Sequence, residues 1–300
     1  MKFLFKKRIL NYNYQSKSTR NDTLSFEKGV VLLKEEYGDR VYVGWPETIF
    51  SENEKADLIS QLEKLVPIKG FKVNKDEYFQ YIEDVGYRRK FRKYFPANFN
   101  EKTLEHFIAL KLLKLEKGQN FIDIAAATSP HYKIFPRLTG CKGYRHDIRF
   151  RKGFHDKKIG SDVSYIPVRD NFFHAALAAC SIEHFEKDAD MGFMKEMARI
   201  LTIGGIIVVI PLYLHKKEFC VTDPKFSAHG KVLFDPGIAI HCVEGWNNRH
   251  GRFYSPQTLA ERLINPNRNQ LNFTLHTIEN FKGIHNSVYC RFALVAEKMP

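Results

Sequence analysis

The stretch FIDIAAATS, residues 121–129, restricts the possible folds of this 300-residue chain more than any other. Phe121, Ile122 and Ile124 make an apolar strand carrying a single acid, Asp123, which gives way to the small residues Ala125 to Ser129. Ser129 suits a helix N-cap, and Pro130 suits the first helical position, where a missing N–H costs nothing. The sequence therefore predicts a strand, a tight loop and a helix N-terminus in succession. In an α/β sheet such a junction is a ligand site, because backbone N–H groups and the positive helix end face the crevice above the strand ends.

The flanking chain repeats the strand–helix alternation. Ahead of the stretch, Asn100 is expected to cap an amphipathic helix, EKTLEHFIALKLLKL, ended by Gly118. Behind it come a short helix broken by Pro136, a strand over 141–147, a candidate strand at Val163 to Pro167, and the apolar strand AALAAC over 175–180. A helix capped by Asp188, a turn at Thr202 to Gly205 and the strand IIVVIP follow. Near-continuous apolar strands alternating with helices predict an α/β, doubly wound, mostly parallel sheet. Residues 272–278 and 287–297 alternate in polarity and are expected to pair antiparallel at its edge.

Residues 1–28 are a basic, polar lead-in, and 29–99 form an N-terminal α+β extension to a domain spanning 100–300. Within the extension, Val30 to Leu33 and Arg40 to Val43 suggest a hairpin turning at Gly38-Asp39, and Ser51 with Glu54 suggests a capping box. Residues 75–95 join aromatic residues at helical spacing (Tyr78, Tyr81) to the basic run RRKFRK. They can be a lid that grips an anion, or a packed aromatic face with a solvated basic one. From Pro211 to Ser255 the chain reads as loop, and Ser255-Pro256 opens a further helix.

With 47 basic and 34 acidic residues the net charge is +13, which favours anionic partners without choosing among them. Five scattered cysteines make neither a disulfide framework nor a zinc knuckle, and the histidines form no short ligand pair, so no metal is expected. The longest apolar run, Ile203 to Leu214, is interrupted and too short to span a membrane, which points to a cytoplasmic protein.

Acids recur at successive strand ends: Asp123, Asp147 and Asp162. A carboxylate at the second strand end can accept two hydrogen bonds from a ribose diol, and Asp162 could accept from an adenine amino group. Each of these acids, alone, also suits an ordinary cap or turn.

The blocks FIDIAAATS, GYRHD, GSDVSYIPVRDNFFHAALAACSIEHF and FMKEMARILTIGGIIVVIP, in this order over 120–212, resemble the class I S-adenosylmethionine-dependent methyltransferases, in particular the small-molecule branch. The resemblance does not reach residues 1–74. It implies a Rossmann-like fold and S-adenosyl-L-methionine as cofactor. By position, Asp123, Ala125, Ala127 and Ser129 would hold its methionine end, Asp147 its ribose, and Asp162 with Val163 its adenine. Ser181, Glu183 and His184 would face the transferred methyl, with His184 as base and Glu183 beside it. Where the family has acid-x-Gly-x-Gly-x-Gly, this chain has Asp123, Ala125, Ala127 and Ser129. Glycine serves there for positive φ and close approach, so the loop either takes another path or carries strain.

The segment HCVEGWNNRHGRFYSP is the expected substrate loop: Arg249, Arg252 and Tyr254 could meet a carboxylate, phosphate or hydroxyl, and Trp246 could stack on a ring. A loop packed by its own aromatics would look the same. The leading expectation is methyl transfer to an anionic small molecule or glycan, with a homodimer possible. The rivals are an inactive methyltransferase-like scaffold, argued from the missing glycines, and an RNA methyltransferase, argued only from charge and not favoured because no RNA-binding module is appended.

Overall fold

The computed structural model describes residues 24–46, 52–91 and 98–300. In chain order the N-terminal part gives α1 (Phe26–Tyr37), β1 (Val41–Val43), α2 (Glu52–Glu63), β2 (Ile68–Phe71), α3 (Lys75–Val85), α4 (Tyr87–Lys90) and α5 (Phe99–Leu113). The central part gives β3 (Asn120–Asp123), α6 (His131–Thr139), β4 (Lys142–His146), β5 (Gly153–His155), β6 (Lys158–Gly160), β7 (Phe173–Ala179), α7 (Ala189–Ile200) and β8 (Leu201–Ile210). The remainder gives β9 (Phe219–Thr222), α8 (Pro224–Ser227), β10 (Ala239–Cys242), β11 (Gly251–Phe253), α9 (Pro256–Leu259), β12 (Leu271–Ile278), α10 (Phe281–Ile284) and β13 (Phe292–Lys298).

Nine strands form the main sheet in the order β2-β12-β13-β8-β7-β3-β4-β6-β5. The strands β8, β7, β3, β4 and β6 are mutually parallel, while β13 is antiparallel to both its neighbours, as expected for the edge region. Strand residues divide by parity between the two faces. Ile122, Ala176, Ala178, Ile207 and Val209 pack with α2, α7 and α9, whereas Phe121, Ala175, Leu177, Val208 and Ile210 pack with α3, α5 and α6. Burial on both faces is why these strands read as continuous apolar runs. Gly143 in β4 lies so close under the Tyr132 carbonyl of α6 that a β-carbon there would collide with it.

The chain steps from β3 outward through β4 to β6, then returns to β7 on the other side of β3 and steps outward again to β8. This reversal sets the C-terminal ends of β3 and β7 side by side, with Asp123 opposite Leu177. The crevice for a ligand therefore lies above them.

Several expectations are corrected. The hairpin over residues 30–43 is instead helix α1, capped by Ser25, followed by a 3₁₀ turn and β1. No strand forms at Val163 to Pro167; the Asp162 carboxylate accepts from Ser164 N–H and Oγ to make a turn, and β6 takes the neighbouring place in the sheet. Lys114, in the left-handed conformation, ends α5 before Gly118, and Asn98 rather than Asn100 precedes it. Asp188 stands ahead of α7 without a side-chain capping bond. Strand β8 starts at Leu201, through the expected turn. The supposed loop over 211–255 contains β9, β10 and β11, which join β1 in a second sheet of order β1-β10-β9-β11, with α1 packed on it through Phe26, Val30 and Leu33. Ser51 and the basic residues 92–93 lie outside the described residues, while Tyr78 and Tyr81 are buried and Arg88, Arg89 and Lys90 are exposed.

Among the described residues no helix is long and apolar enough to cross a membrane. All five cysteines are free thiols, and no group of three or more His, Cys, Asp or Glu residues is placed to hold a metal ion among the described residues.

Candidate functional site

The loop after β3 keeps the conformation a glycine loop would take, with alanine in its place. Ala125 and Ala127 have φ of 50° and 47°, in the left-handed region. Three interactions hold them there. Ile124 N–H donates to the Leu177 carbonyl (2.8 Å), Ala126 N–H to the His146 carbonyl (2.8 Å), and Ala127 N–H to Asp147 Oδ2 (2.8 Å). The strain of about 1–2 kcal/mol at each alanine is thus offset by bonds to both neighbouring strands.

Asp123 is turned inward: its Oδ2 accepts from Ser129 Oγ (2.6 Å) and faces His131 Nδ1 at 3.2 Å. Ser129 Oγ also accepts from His131 N–H, although Pro130 occupies the cap position of α6. Asp147, 4% exposed, has both oxygens engaged, Oδ1 by Arg149 N–H and Nε (each 2.9 Å) and Oδ2 by Ala127 N–H and Arg149 Nη2 (3.3 Å). Burial pushes its carboxyl up, but the Arg149 bonds and charge outweigh this and hold it below the ordinary carboxylate value. Asp162 is exposed near His146, with Val163 buried beside it.

Across the switch point, β7 ends at Cys180, which has φ of 48° and leads into a 3₁₀ turn over Ile182–His184. His184 and His250 lock this turn to β11. His184 Nδ1 donates to the His250 carbonyl (2.5 Å), and His250 Nδ1 donates to the Glu183 carbonyl (3.0 Å). This fixes the His184 tautomer, leaving the lone pair on Nε2, which lies 3.7 Å from Glu183 Oε1. The Trp246 ring lies 6.0 Å from the His184 ring, and Gly251 makes room for it, since a β-carbon there would meet the indole. The structure therefore gathers Ser181, Glu183, His184 and Trp246 at one strand end.

Two expected substrate residues are corrected. Arg252 and Tyr254 are fully buried and bind Asp190 (each 2.8 Å), with Arg262 and Asp235 completing the network. Their polar atoms support the fold and are not presented to a ligand. Arg249 is exposed and paired with Glu186 (2.7 Å).

A group that sequence reasoning missed lies on α5. Lys102 Nζ reaches both oxygens of Glu105 (3.1 Å) and Cys180 Sγ (2.5 Å). The usable signal was the first two turns of α5, where Glu101, Lys102 and Glu105 interrupt a helix buried on most sides.

Residues 127–209 match the family model described as a methyltransferase domain. That stretch is under a third of the chain and runs from the loop after β3 into β8 of the Rossmann-like sheet; S-adenosylmethionine is the cofactor of methyltransferase domains of this kind. No curated protein matches the chain. Among solved structures it is similar to the 1,6-didemethyltoxoflavin-N1-methyltransferase of Burkholderia thailandensis, solved with 1,6-didemethyltoxoflavin and S-adenosylhomocysteine. There the identity is 13% over 79% of this chain and 95% of that one, with a TM-score of 0.46. A geranyl diphosphate methyltransferase in complex with GPP and sinefungin shares 12% identity over 66% of this chain and 78% of that one, TM-score 0.41. MccD shares 17% identity over 40% of this chain, TM-score 0.32, and the chain spans only 56% of its length. Likeness at this level carries no residue role or substrate.

The residues present fit the cofactor. Ala125 to Ala127 hold the left-handed turn with no side chain larger than methyl. Arg149, whose side chain is 43% exposed, already covers Asp147, so a diol that bound this carboxylate would have to take the place of the guanidinium.

Proposed function

We propose that the protein transfers a methyl group from S-adenosylmethionine to a small molecule, with His184 as general base. The loop Ala125 to Ser129 and Asp147 would hold the cofactor on one side of the switch point, with Asp162 and Val163 at the adenine and Ser181 at the methyl end. The bound cofactor supplies an electrophilic methyl group. Trp246 would lie along the substrate, and the exposed Arg249 would meet a polar group of it. The observation that carries this reading is the His184 geometry: Nδ1 is committed to a carbonyl, so Nε2 is the atom left to take a proton. Five free thiols favour a reducing, cytoplasmic compartment.

Calorimetric titration with S-adenosylhomocysteine tests the cofactor half. Micromolar binding is expected, and Asp147→Ala is expected to abolish it; no binding to the folded protein at millimolar concentration would refute the reading. His184→Gln should leave that affinity unchanged and slow turnover by about 10²–10⁴-fold.

A further inference from the structure

At the end of β7 two side-chain oxygens, a carboxyl and a hydroxyl, are left unsatisfied. Glu183 Oε2 and Ser181 Oγ are buried and make no hydrogen bond, although both residues are only 4% exposed. An ionised carboxylate has acceptor positions alone, so what it lacks is a donor. Two further carboxyls stand close by. Glu105 is fully buried against Lys102, and Glu101 takes the Tyr289 N–H on Oε2 (2.7 Å).

Three carboxyls therefore share one ammonium, and that ammonium is committed. Lys102 binds both oxygens of Glu105 and the Cys180 sulfur, while the thiol itself donates to Glu105 Oε2 (3.0 Å). Burial pushes the Glu183 carboxyl up, with His184 offsetting part of the effect, and burial together with Glu105 pushes Glu101 well up. Both directions are those of buried carboxyls, whose charged form a neighbouring cation would favour. A carboxylate or phosphate entering here would meet like charge, with Lys102 already bound to Glu105 and Cys180. A protonated amine would meet two oxygens able to accept from it, with the indole of Trp246, a ring type that attracts cations, 6.0 Å from the adjacent His184 ring.

Resting on the methyltransferase reading above, we propose that the methylated group is an amine nitrogen, seated as its ammonium ion by Glu183 Oε2 and Ser181 Oγ beside Trp246. One N–H proton passes to His184 Nε2, which frees the nitrogen lone pair. The nitrogen then bonds to the methyl carbon as the carbon–sulfur bond breaks with its electron pair remaining on sulfur. The positive charge leaves on the methylated nitrogen, and His184 returns its proton to solvent. The required substrate charge is opposite in sign to the partner that the net charge of +13 suggests.

The α-ammonium of the cofactor carries the same chemistry, so the test separates the two sources. The protein, with and without saturating S-adenosylhomocysteine, is titrated calorimetrically with two isosteric sets: hexylamine, hexanol and hexanoate; benzylamine, benzyl alcohol and benzoate. The amines are expected to bind at least about tenfold tighter than their neutral and anionic counterparts, and Glu183→Gln to erase that preference while holding S-adenosylhomocysteine affinity within about twofold. Ser181→Ala, a smaller change, should weaken amine binding by a few-fold and serves if the glutamine variant fails to fold. Equal or tighter binding of the alcohols or acids, or no amine binding by the wild-type protein, overturns the proposal. So does a loss of S-adenosylhomocysteine affinity in step with amine affinity, which would assign the acceptors to the cofactor. Failure of S-adenosylhomocysteine to bind the wild-type protein would instead overturn the methyltransferase reading, whatever the amines do.

Discussion

Ala125 and Ala127 hold backbone angles that an L-residue leaves readily, and they hold them because Asp147 takes the N–H of Ala127 and strand carbonyls take those of Ile124 and Ala126. The strain can be measured. Ala127→Gly removes about 1–2 kcal/mol of steric cost and adds about 0.5–1 kcal/mol of chain entropy. Its denaturation midpoint should therefore be unchanged or slightly higher, where a residue in ordinary geometry would lose stability. Arg149 presents the opposite case, since its guanidinium covers the carboxylate that the proposed reading gives to the ribose. Arg149→Ala should bind S-adenosylhomocysteine at least as tightly as wild type, because the Asp147 carboxylate no longer exchanges one partner for another; a large loss of affinity would show that the guanidinium itself holds the cofactor.

At the scale of elements, what was legible in the sequence follows burial. Strands β3, β7 and β8 are covered on both faces and appear as apolar runs, and the small residues after Asp123 marked the loop. The strands of the second sheet were missed because β9, β10 and β11 have only three or four residues each and find partners through distant pairings. Helix α1 was misread although Phe26, Gly29, Val30 and Leu33 are buried at helical spacing behind the cap Ser25; the local run Val30 to Leu33 obscured the longer period. The carboxyl group on α5 was hidden because charges on an amphipathic helix are normally assigned to solvent. Arg252 illustrates the same difficulty in reverse, since a loop arginine suggests a ligand but here lies fully buried against Asp190. Arg252→Leu should destabilise the protein by about 3–5 kcal/mol in equilibrium denaturation, by leaving Asp190 and Asp235 short of a cation.

For the whole molecule, the buried histidines set the behaviour in acid. Burial, and then the charge of Arg252, lower His250 to about 3 from 6.5. Between these values the unfolded chain takes up a proton that the folded one refuses, so stability is complete above about pH 6.5 and falls as pH drops toward 3. His106, lowered by burial and by His131, acts in the same direction, whereas Glu101 and Glu183, raised by burial, act oppositely. Thermal denaturation across this range should show a loss of stability on acidification that is shallower in His250→Asn, whose amide can still donate to the Glu183 carbonyl.

The second sheet also orders events in time. Val41 pairs in parallel with Ile240, so nearly the whole intervening chain must be made and folded before β1 has a partner. Closing so long a loop is slow relative to the local helix and hairpin steps. The segment synthesised early thus docks late, onto the sheet that carries β11 and the His250 carbonyl. A nascent or truncated chain lacking residues beyond β8 would have the loop after β3 but no carbonyl to anchor His184, so the two halves of the proposed site would be completed at different times.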